Sequence, residues 1–225
     1  MVVEIDDEMK AQIEEMFDFL VNDVTAHLFI ADHQCLYCND TKALIEQVAD
    51  LSEKITVVEH KGPSKKPGES PSSASLETTG EFGVRFTPAI LLQGSEKYKV
   101  RFYGIPAGHE FGALIGTIVD VSSGSPALAP DIAEDIKDID KPIHIQVFTT
   151  PQCVYCPSMV RLAHSASILN PLIESDMIES LEFQELAAKY EVFGVPKTIL
   201  NEKVVLDGMS PPELFVEKLY DAVEK

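Results

Sequence analysis

Apolar positions along this chain follow two alternating rhythms. Met9, Ile13, Met16, Phe17 and Leu20 recur at three- and four-residue spacing, which predicts one face of a helix. A strand-length apolar run, "AHLFIAD" (26–32), comes next, then a helix through Leu44, Ile45 and Val48, then a second strand, "KITVVEH" (54–60). After a polar stretch stand "TPAILLQ" (87–93) and "YKVRFYG" (98–104), two β-rich runs around a Gly-Ser-Glu turn. A helix over 109–121 closes this half, with Phe111, Leu114, Ile115, Ile118 and Val119 on its apolar side.

The rhythm then starts again. "PDIAEDIKDI" reads as a short helix with Ile132, Ile136 and Ile139 on one side, and "IHIQVFTT" (143–150) as a strand. A helix over 157–167, a strand near "DMIESLEF" and a helix through Leu186, Ala187 and Tyr190 follow. "PKTILN" and "KVVLDG" are again two strands around a turn, and "PPELFVEKLYDAV" is a closing amphipathic helix with prolines where a helix start tolerates them. Each half thus reads helix, strand, helix, strand, helix, strand, strand, helix. Strands joined through helices imply a parallel core, and the last hairpin of each half adds an antiparallel edge. The Ser, Gly and Pro-rich "SSGSPALAP" (122–130) is the linker, so the expected division is 1–122 and 123–225.

Composition supports a folded chain, with 45% hydrophobic and 24% charged residues among 225. The charge is lopsided, 18 Lys plus Arg against 37 Asp plus Glu, a net −19. Nucleic acid and anionic membranes are poor partners for such a surface, because phosphate binding needs clustered cations. "MVVEIDDEMK" has neither a basic nor an apolar leader region, and no apolar run reaches membrane-span length. The expectation is a soluble, cytoplasmic protein. The segment 61–75, "KGPSKKPGESPSSAS", reads as a flexible loop.

All four cysteines fall into two pairs of one spacing, Cys35/Cys38 in "CLYC" and Cys153/Cys156 in "CVYC". In a reducing compartment such pairs are more often catalytic or metal-binding than structural. Two cysteines three apart at a helix start bring their Cα atoms within disulfide range, about 5–6 Å. Free N–H groups and the helix dipole favour the thiolate of the first cysteine, which attacks, while the second, one turn inward, resolves the mixed disulfide. Zinc asks instead for four thiolates at about 2.3 Å, with the pairs commonly 15–20 residues apart. Here 114 residues separate Cys38 from Cys153, and each pair has its own strand and helix. His33 and His109 are the histidines that could assist a metal site. No P-loop, GxGxxG after a strand or HExxH is present, so nucleotide, flavin and metalloprotease chemistry find no support.

The whole chain resembles the protein disulfide oxidoreductases of archaea and thermophilic bacteria, also called glutaredoxin-like proteins. The residues that carry this are the two CxYC pairs, "DKPIHIQVFTTPQCVYCP" (140–157), "YEVFGVPKTILN" (190–201), "FGVRFTPAILL" and "YGIPAGHEF". The resemblance implies two tandem thioredoxin-fold domains, each a central mixed sheet flanked by helices. It implies that Pro88 and Pro196 are cis, where the alternative is two prolines that merely open edge strands. It further implies that Thr87 and Val195 offer backbone hydrogen bonds to an extended substrate segment. No bound cofactor is needed beyond the redox disulfides, and electrons would come from a thioredoxin-reductase-like flavoprotein.

One departure stands out. The acid that thioredoxins bury in the strand before the active site is absent, since Phe29 and Val147 stand six residues ahead of each first cysteine and Asp32 falls on the loop. The expected function is a dithiol–disulfide oxidoreductase that reduces, forms or isomerises protein disulfides. The alternatives are an electron carrier from a flavoprotein to a peroxiredoxin, since the N-terminal part of bacterial alkyl hydroperoxide reductase flavoproteins is also a fused thioredoxin pair, and a redox-inert zinc-binding or chaperone-like module. Pro157 follows Cys156 whereas Asn39 follows Cys38, so the two pairs should differ in potential, with the C-terminal pair the stronger reductase.

Overall fold

A computed structural model of the chain describes residues 5–31, 35–62 and 82–224. Among the described residues eight strands and seven helices follow in order: α1 (Asp7–Phe17), β1 (Val24–Ile30), α2 (Cys38–Ala49), β2 (Ile55–Lys61), β3 (Ala89–Gln93), β4 (Val100–Tyr103), α3 (Glu110–Ser123), α4 (Pro130–Lys137), β5 (Ile143–Thr149), α5 (Cys156–Leu169), β6 (Ile173–Glu179), α6 (Gln184–Lys189), β7 (Lys197–Leu200), β8 (Val204–Asp207) and α7 (Pro212–Glu224). The helix expected between β2 and β3 in the first half, most of the 61–75 loop, Asp32 and His33 lie outside the described residues. Among the described residues no helix is long and apolar enough to cross a membrane.

The strands form one mixed sheet in the order β2-β1-β3-β4-β6-β5-β7-β8. Within each half a parallel pair (β1 with β2, β5 with β6) is followed by an antiparallel hairpin (β3–β4, β7–β8). The expectation of an antiparallel edge holds for β8 and fails for β4. β4 pairs in parallel with β6, Val100 with Ser175 through Tyr103 with Ile178, so the hairpin of the first half lies in the middle of the sheet. The reason is that β4, left as an edge, would expose unpaired N–H and C=O groups, and the second half covers them. The units therefore repeat along the sheet, with β1 and β5 pointing the same way four strand spacings apart, roughly 19 Å.

The two faces of the sheet are filled unequally. Ala26, Leu28, Ile90, Phe102, Ile145, Val147 and Met177 face a core shared with α1 to α5 and α7. Phe29, Leu91, Tyr103, Phe148 and Ile178 point to the other face, where α6 and the segment 82–86 cover them. Each strand contributes to both faces because side chains alternate. In α1 only Ile13 and Phe17 are buried, with Leu20 just beyond its end, while Met9 and Met16 are exposed. This corrects the five-residue apolar face read from spacing: α1 packs on α3 along a narrow stripe. β6 begins at Ile173, earlier than its apolar run suggested, and Leu181 and Phe183 lie beyond it.

Polar groups close the seam between the halves. Arg101, 1% exposed, donates from Nε to Asp176 Oδ1 at 2.6 Å and from Nη2 to Glu174. Asp176 also meets His144 and Arg85, and the Arg85 N–H donates to Tyr103 Oη at 3.1 Å. Burial alone would raise the carboxyl of Asp176, but Arg101 and His144 outweigh it and hold the group well below the carboxylate range.

Candidate functional site

The two redox candidates are built alike. Each CxxC leaves the C-terminal end of a buried strand, β1 or β5, and its second cysteine is the first residue of a helix, α2 or α5. Both pairs are disulfides, with Cα–Cα distances of 5.4 and 5.5 Å. Cys35 and Cys153 are half-buried, whereas Cys38 is 4% and Cys156 0% exposed. The Cys156 N–H donates to Cys153 Sγ at 3.1 Å, so the open end of α5 faces the sulfur that a partner can reach. The pairs terminate strands about 19 Å apart, and this spacing keeps four thiolates from converging on one ion at zinc-ligand distance.

Strand register brings the prolines to the cysteines. Ala89 pairs with Phe29 and Lys197 with Phe148, so Pro88 and Pro196, one residue earlier, lie beside the ends of β1 and β5. Both the Thr87–Pro88 and Val195–Pro196 bonds are cis, and both prolines are buried. The turn after each hairpin fastens the proline from behind. Gly104 N–H donates to the Pro88 carbonyl at 3.0 Å and Gly208 N–H to the Pro196 carbonyl at 2.8 Å. At the first site Gly62 packs under Thr87, where an added Cβ would stand 2.2 Å from the threonine methyl, so only glycine fits.

The surroundings then diverge. At the C-terminal site Val154, Tyr155, Leu181, Phe193 and Met209 are all exposed, Phe193 at 94%. A groove of about 450 Å³ runs from Thr150 past Leu181, Ala187 and Phe193 to Val195. At the N-terminal site the residue three before the cis-proline is Arg85, held by Glu174 and Asp176, and the residue after Gly104 is the buried Ile105. A cleft of about 680 Å³ separates the sites, walled by Tyr37 and Asp40 on one side, Pro151 and Gln152 on the other, and floored by Ile105 to His109. His109 N–H donates to the Pro151 carbonyl at 3.0 Å. Gly108, at φ +62°, approaches that carbonyl so closely that a Cβ would stand 2.3 Å from it.

Buried acids are found elsewhere in the fold. Phe29 and Val147 are buried apolar residues, as the sequence showed. Glu110, in the first turn of α3, is 1% exposed, and neither carboxylate oxygen has a hydrogen-bond partner. Burial pushes its carboxyl up to about 8. α3 and α5 descend side by side from parallel strands, and a Cβ on Gly116 would meet the Arg161 guanidinium at 2.8 Å. His109 N–H meets the Pro151 carbonyl, so the first turn of α3, which holds Glu110, and the start of α5, which holds Cys156, lie at the same end of the helix pair. The sequence held a signal for this residue: Glu110 falls on the same stripe as Leu114 and Ile118, an acid on an apolar face. Glu182 gave no such signal. Its Oε1 accepts from the Ile105 N–H at 2.7 Å, and burial, with Glu179 and Asp40 nearby, raises its carboxyl to about 7. Of the candidate metal-assisting histidines, His109 lines the cleft.

Comparison with known proteins agrees with this architecture. Residues 143–221 match the model of the thioredoxin domain. The alkyl hydroperoxide reductase AhpF of Staphylococcus epidermidis is 27% identical over 214 residues, which are 94% of this chain and 37% of that protein. A protein named NADH dehydrogenase from Bacillus subtilis is 25% identical over 215 residues, 96% of this chain and 38% of that one. The chain thus spans little more than a third of these relatives. A protein disulfide oxidoreductase from Aeropyrum pernix superimposes with a TM-score of 0.86 at 27% identity, covering 99% of this chain and 95% of that one. The N-terminal domain of the alkyl hydroperoxide reductase AhpF from Enterococcus faecalis shares the fold, at a TM-score of 0.83 and 22% identity over 96% of this chain and all of that one.

Proposed function

We propose that this tandem thioredoxin-fold protein, with a CxxC disulfide in each half, is a dithiol–disulfide oxidoreductase of protein disulfides. The observation that carries the reading is the division of each pair into a reachable and a covered sulfur beside a cis-proline. In the reducing direction the Cys153 thiolate attacks one sulfur of a substrate disulfide, and the other leaves as a thiolate that takes a proton. The Cys156 thiol then loses its proton and attacks Cys153 Sγ, which re-forms the protein disulfide and frees the second substrate thiolate to take up a proton. One substrate disulfide becomes two thiols, and two protein thiols become one disulfide. Cys35 attacks and Cys38 resolves at the other site. Thr87 with Pro88, and Val195 with Pro196, dock the substrate strand. Residues 1–122 and 123–225 are the two functional units in this reading, and its setting is the reducing cytoplasm.

The donor that returns the pairs to dithiols is a flavoprotein of thioredoxin-reductase type, and no further bound cofactor enters the exchange. Insulin reduction by the pre-reduced chain, alongside metal analysis of the same sample, tests the reading. Turnover with substoichiometric zinc is expected; stoichiometric zinc without turnover would overturn it in favour of a metal-binding module. A second reading, electron delivery to a peroxiredoxin, is favoured by the extent of the staphylococcal match. It predicts faster re-reduction of an oxidised peroxiredoxin than of insulin.

A further inference from the structure

The N-terminal site receives a carboxylate from the other half of the molecule. Glu182 follows β6 and reaches across the seam to accept the Ile105 N–H at 2.7 Å. Its own N–H donates to Glu179 Oε2 at 2.6 Å, which fixes the two acids side by side. The turn they meet is tight. Gly104 has φ +87°, and a Cβ there would stand 2.7 Å from Glu179 Cβ and 2.8 Å from Glu182 Oε1. Gly104 is the residue whose N–H holds the carbonyl of Pro88. On the cleft side, Ile105 and Asp40 line the same cavity, and Asp40 is in the first turn of α2, two residues after Cys38.

We infer that Glu182 is a positioning residue of the N-terminal pair, supplied by the second half. Its carboxyl fixes the Gly104–Ile105 turn behind Pro88, and its charge, set above the start of α2, governs how readily Cys35 and Cys38 ionise. The inference rests on the dithiol reading of that pair. The groups that set the charge state of Glu182 are Asp40 from α2 and Glu179 from β6; Tyr37 and His109 line the adjoining cleft. Burial is the main reason that Glu182 holds its proton toward neutral pH, and the negative Glu179 and Asp40 add to it. Protonated, Glu182 adds no charge near the thiols; ionised, it opposes their thiolates. A reduced pair whose thiolates are opposed is the more reducing one, because a stabilised dithiol makes an oxidant. The N-terminal pair therefore becomes less nucleophilic at a given pH once Glu182 ionises. At the C-terminal site no acid packs on the corresponding turn: Gly208 opens into the exposed Met209, with nothing among the described residues within 4 Å of a Cβ placed on the glycine.

The test uses the full chain with Cys153→Ser and Cys156→Ser, so that only the N-terminal pair reacts. The rate of iodoacetamide reaction with the reduced protein is followed from pH 5 to 9. Glu182→Gln keeps an acceptor for Ile105 but loses the charge; it should raise the rate at pH 7.5 about two- to fivefold and remove an inflection near pH 7. The same substitution with Cys35→Ser and Cys38→Ser should leave the C-terminal profile unchanged. A profile identical to the parent's in Glu182→Gln, or an equal shift at both pairs, overturns the inference. If that variant does not fold, Asp40→Asn must lower the pH of the inflection, and an unmoved profile is equally fatal. Alkylation needs no turnover, so failure here is distinct from failure of the functional reading, which is absence of insulin reduction by either pair.

Discussion

Two residues before each cis-proline's partner the halves carry different chemistry, with Arg85 three residues ahead of Pro88 and Phe193 three ahead of Pro196. Arg85 turns into the seam and pairs with Glu174 and Asp176, whereas Phe193 stands 94% exposed at the mouth of the C-terminal groove. One residue beyond each hairpin glycine the contrast repeats, with Ile105 at 8% exposure and Met209 at 58%. The cause is position in the row of strands. The β3–β4 hairpin is enclosed by the second half, so its loop residues have partners to meet. The β7–β8 hairpin ends the sheet, and its loops face solvent. Exposed apolar side chains around a reactive sulfur suit a partner that covers them. The C-terminal site carries a collar of exposed apolar side chains; at the N-terminal site Leu36 is exposed as well, but Arg85 and Ile105 are tied into the seam beside acidic groups.

The largest test is of the seam that produces this asymmetry. Arg101→Met leaves Asp176 buried without its main partner and should cost about 3–5 kcal/mol, read as a lower urea midpoint. A single transition is expected; two separate transitions would mean that the halves do not shape each other. Because the carboxyl of Asp176 is depressed, the stability it confers is present above about pH 4 and lost as the pH falls below that.

Glu110 tests the link in the other direction. Its carboxyl titrates at about 8 against 4.5 in the unfolded chain, so the folded state holds the extra proton. The associated stability is full below pH 4.5 and lost as the pH rises through 8. The shift sets a ceiling of roughly 5 kcal/mol, and relaxation around the charge reduces the expected loss to about 2 kcal/mol. In Glu110→Gln the fall of Tm between pH 5 and 8 should flatten; a slope equal to the parent's would remove Glu110 from the account.

The comparison itself is tested by removing one pair at a time. Cys153→Ser with Cys156→Ser should cost about tenfold in insulin reduction, equivalent to about 1.4 kcal/mol. Cys35→Ser with Cys38→Ser should cost about twofold on the same scale. Equal losses would show that the exposed collar confers nothing. A smaller effect isolates the collar. Phe193→Ala should raise KM for insulin about fivefold, by loss of one interface anchor, and leave reaction with a small aromatic disulfide unchanged. Its Tm should stay within what about 0.5 kcal/mol allows, since the side chain is exposed. Arg85→Ala should do the reverse, lowering Tm and sparing KM.

Much of this was legible along the chain. The two CxYC pairs, the strand before each and the helix after each follow from spacing and local pattern alone. The cis bonds at Pro88 and Pro196 came from the family resemblance, since nothing local distinguishes a cis proline from one that opens an edge strand. Met9 and Met16 fall outside the buried stripe of α1 because periodicity tells which residues share a face, and only neighbours decide how wide a face is covered. Glu110 was visible as an acid on an apolar stripe; Glu182, between Leu181 and Phe183, was not.

By itself, then, the sequence determined the repeat, the elements of each half and the chemistry of four sulfurs, because helix period, strand run and CxxC spacing are local properties. The tertiary structure alone decided that β4 pairs with β6, and the different enclosure of the two hairpins follows from that contact. It turned one hairpin into the middle of a sheet and left the other at its edge. It buried Glu110 at the start of α3 and brought Glu182 against the turn behind Pro88, from residues far off in the chain. Local pattern cannot encode such pairings, since what an edge strand meets depends on the shape of the surface that comes to cover it.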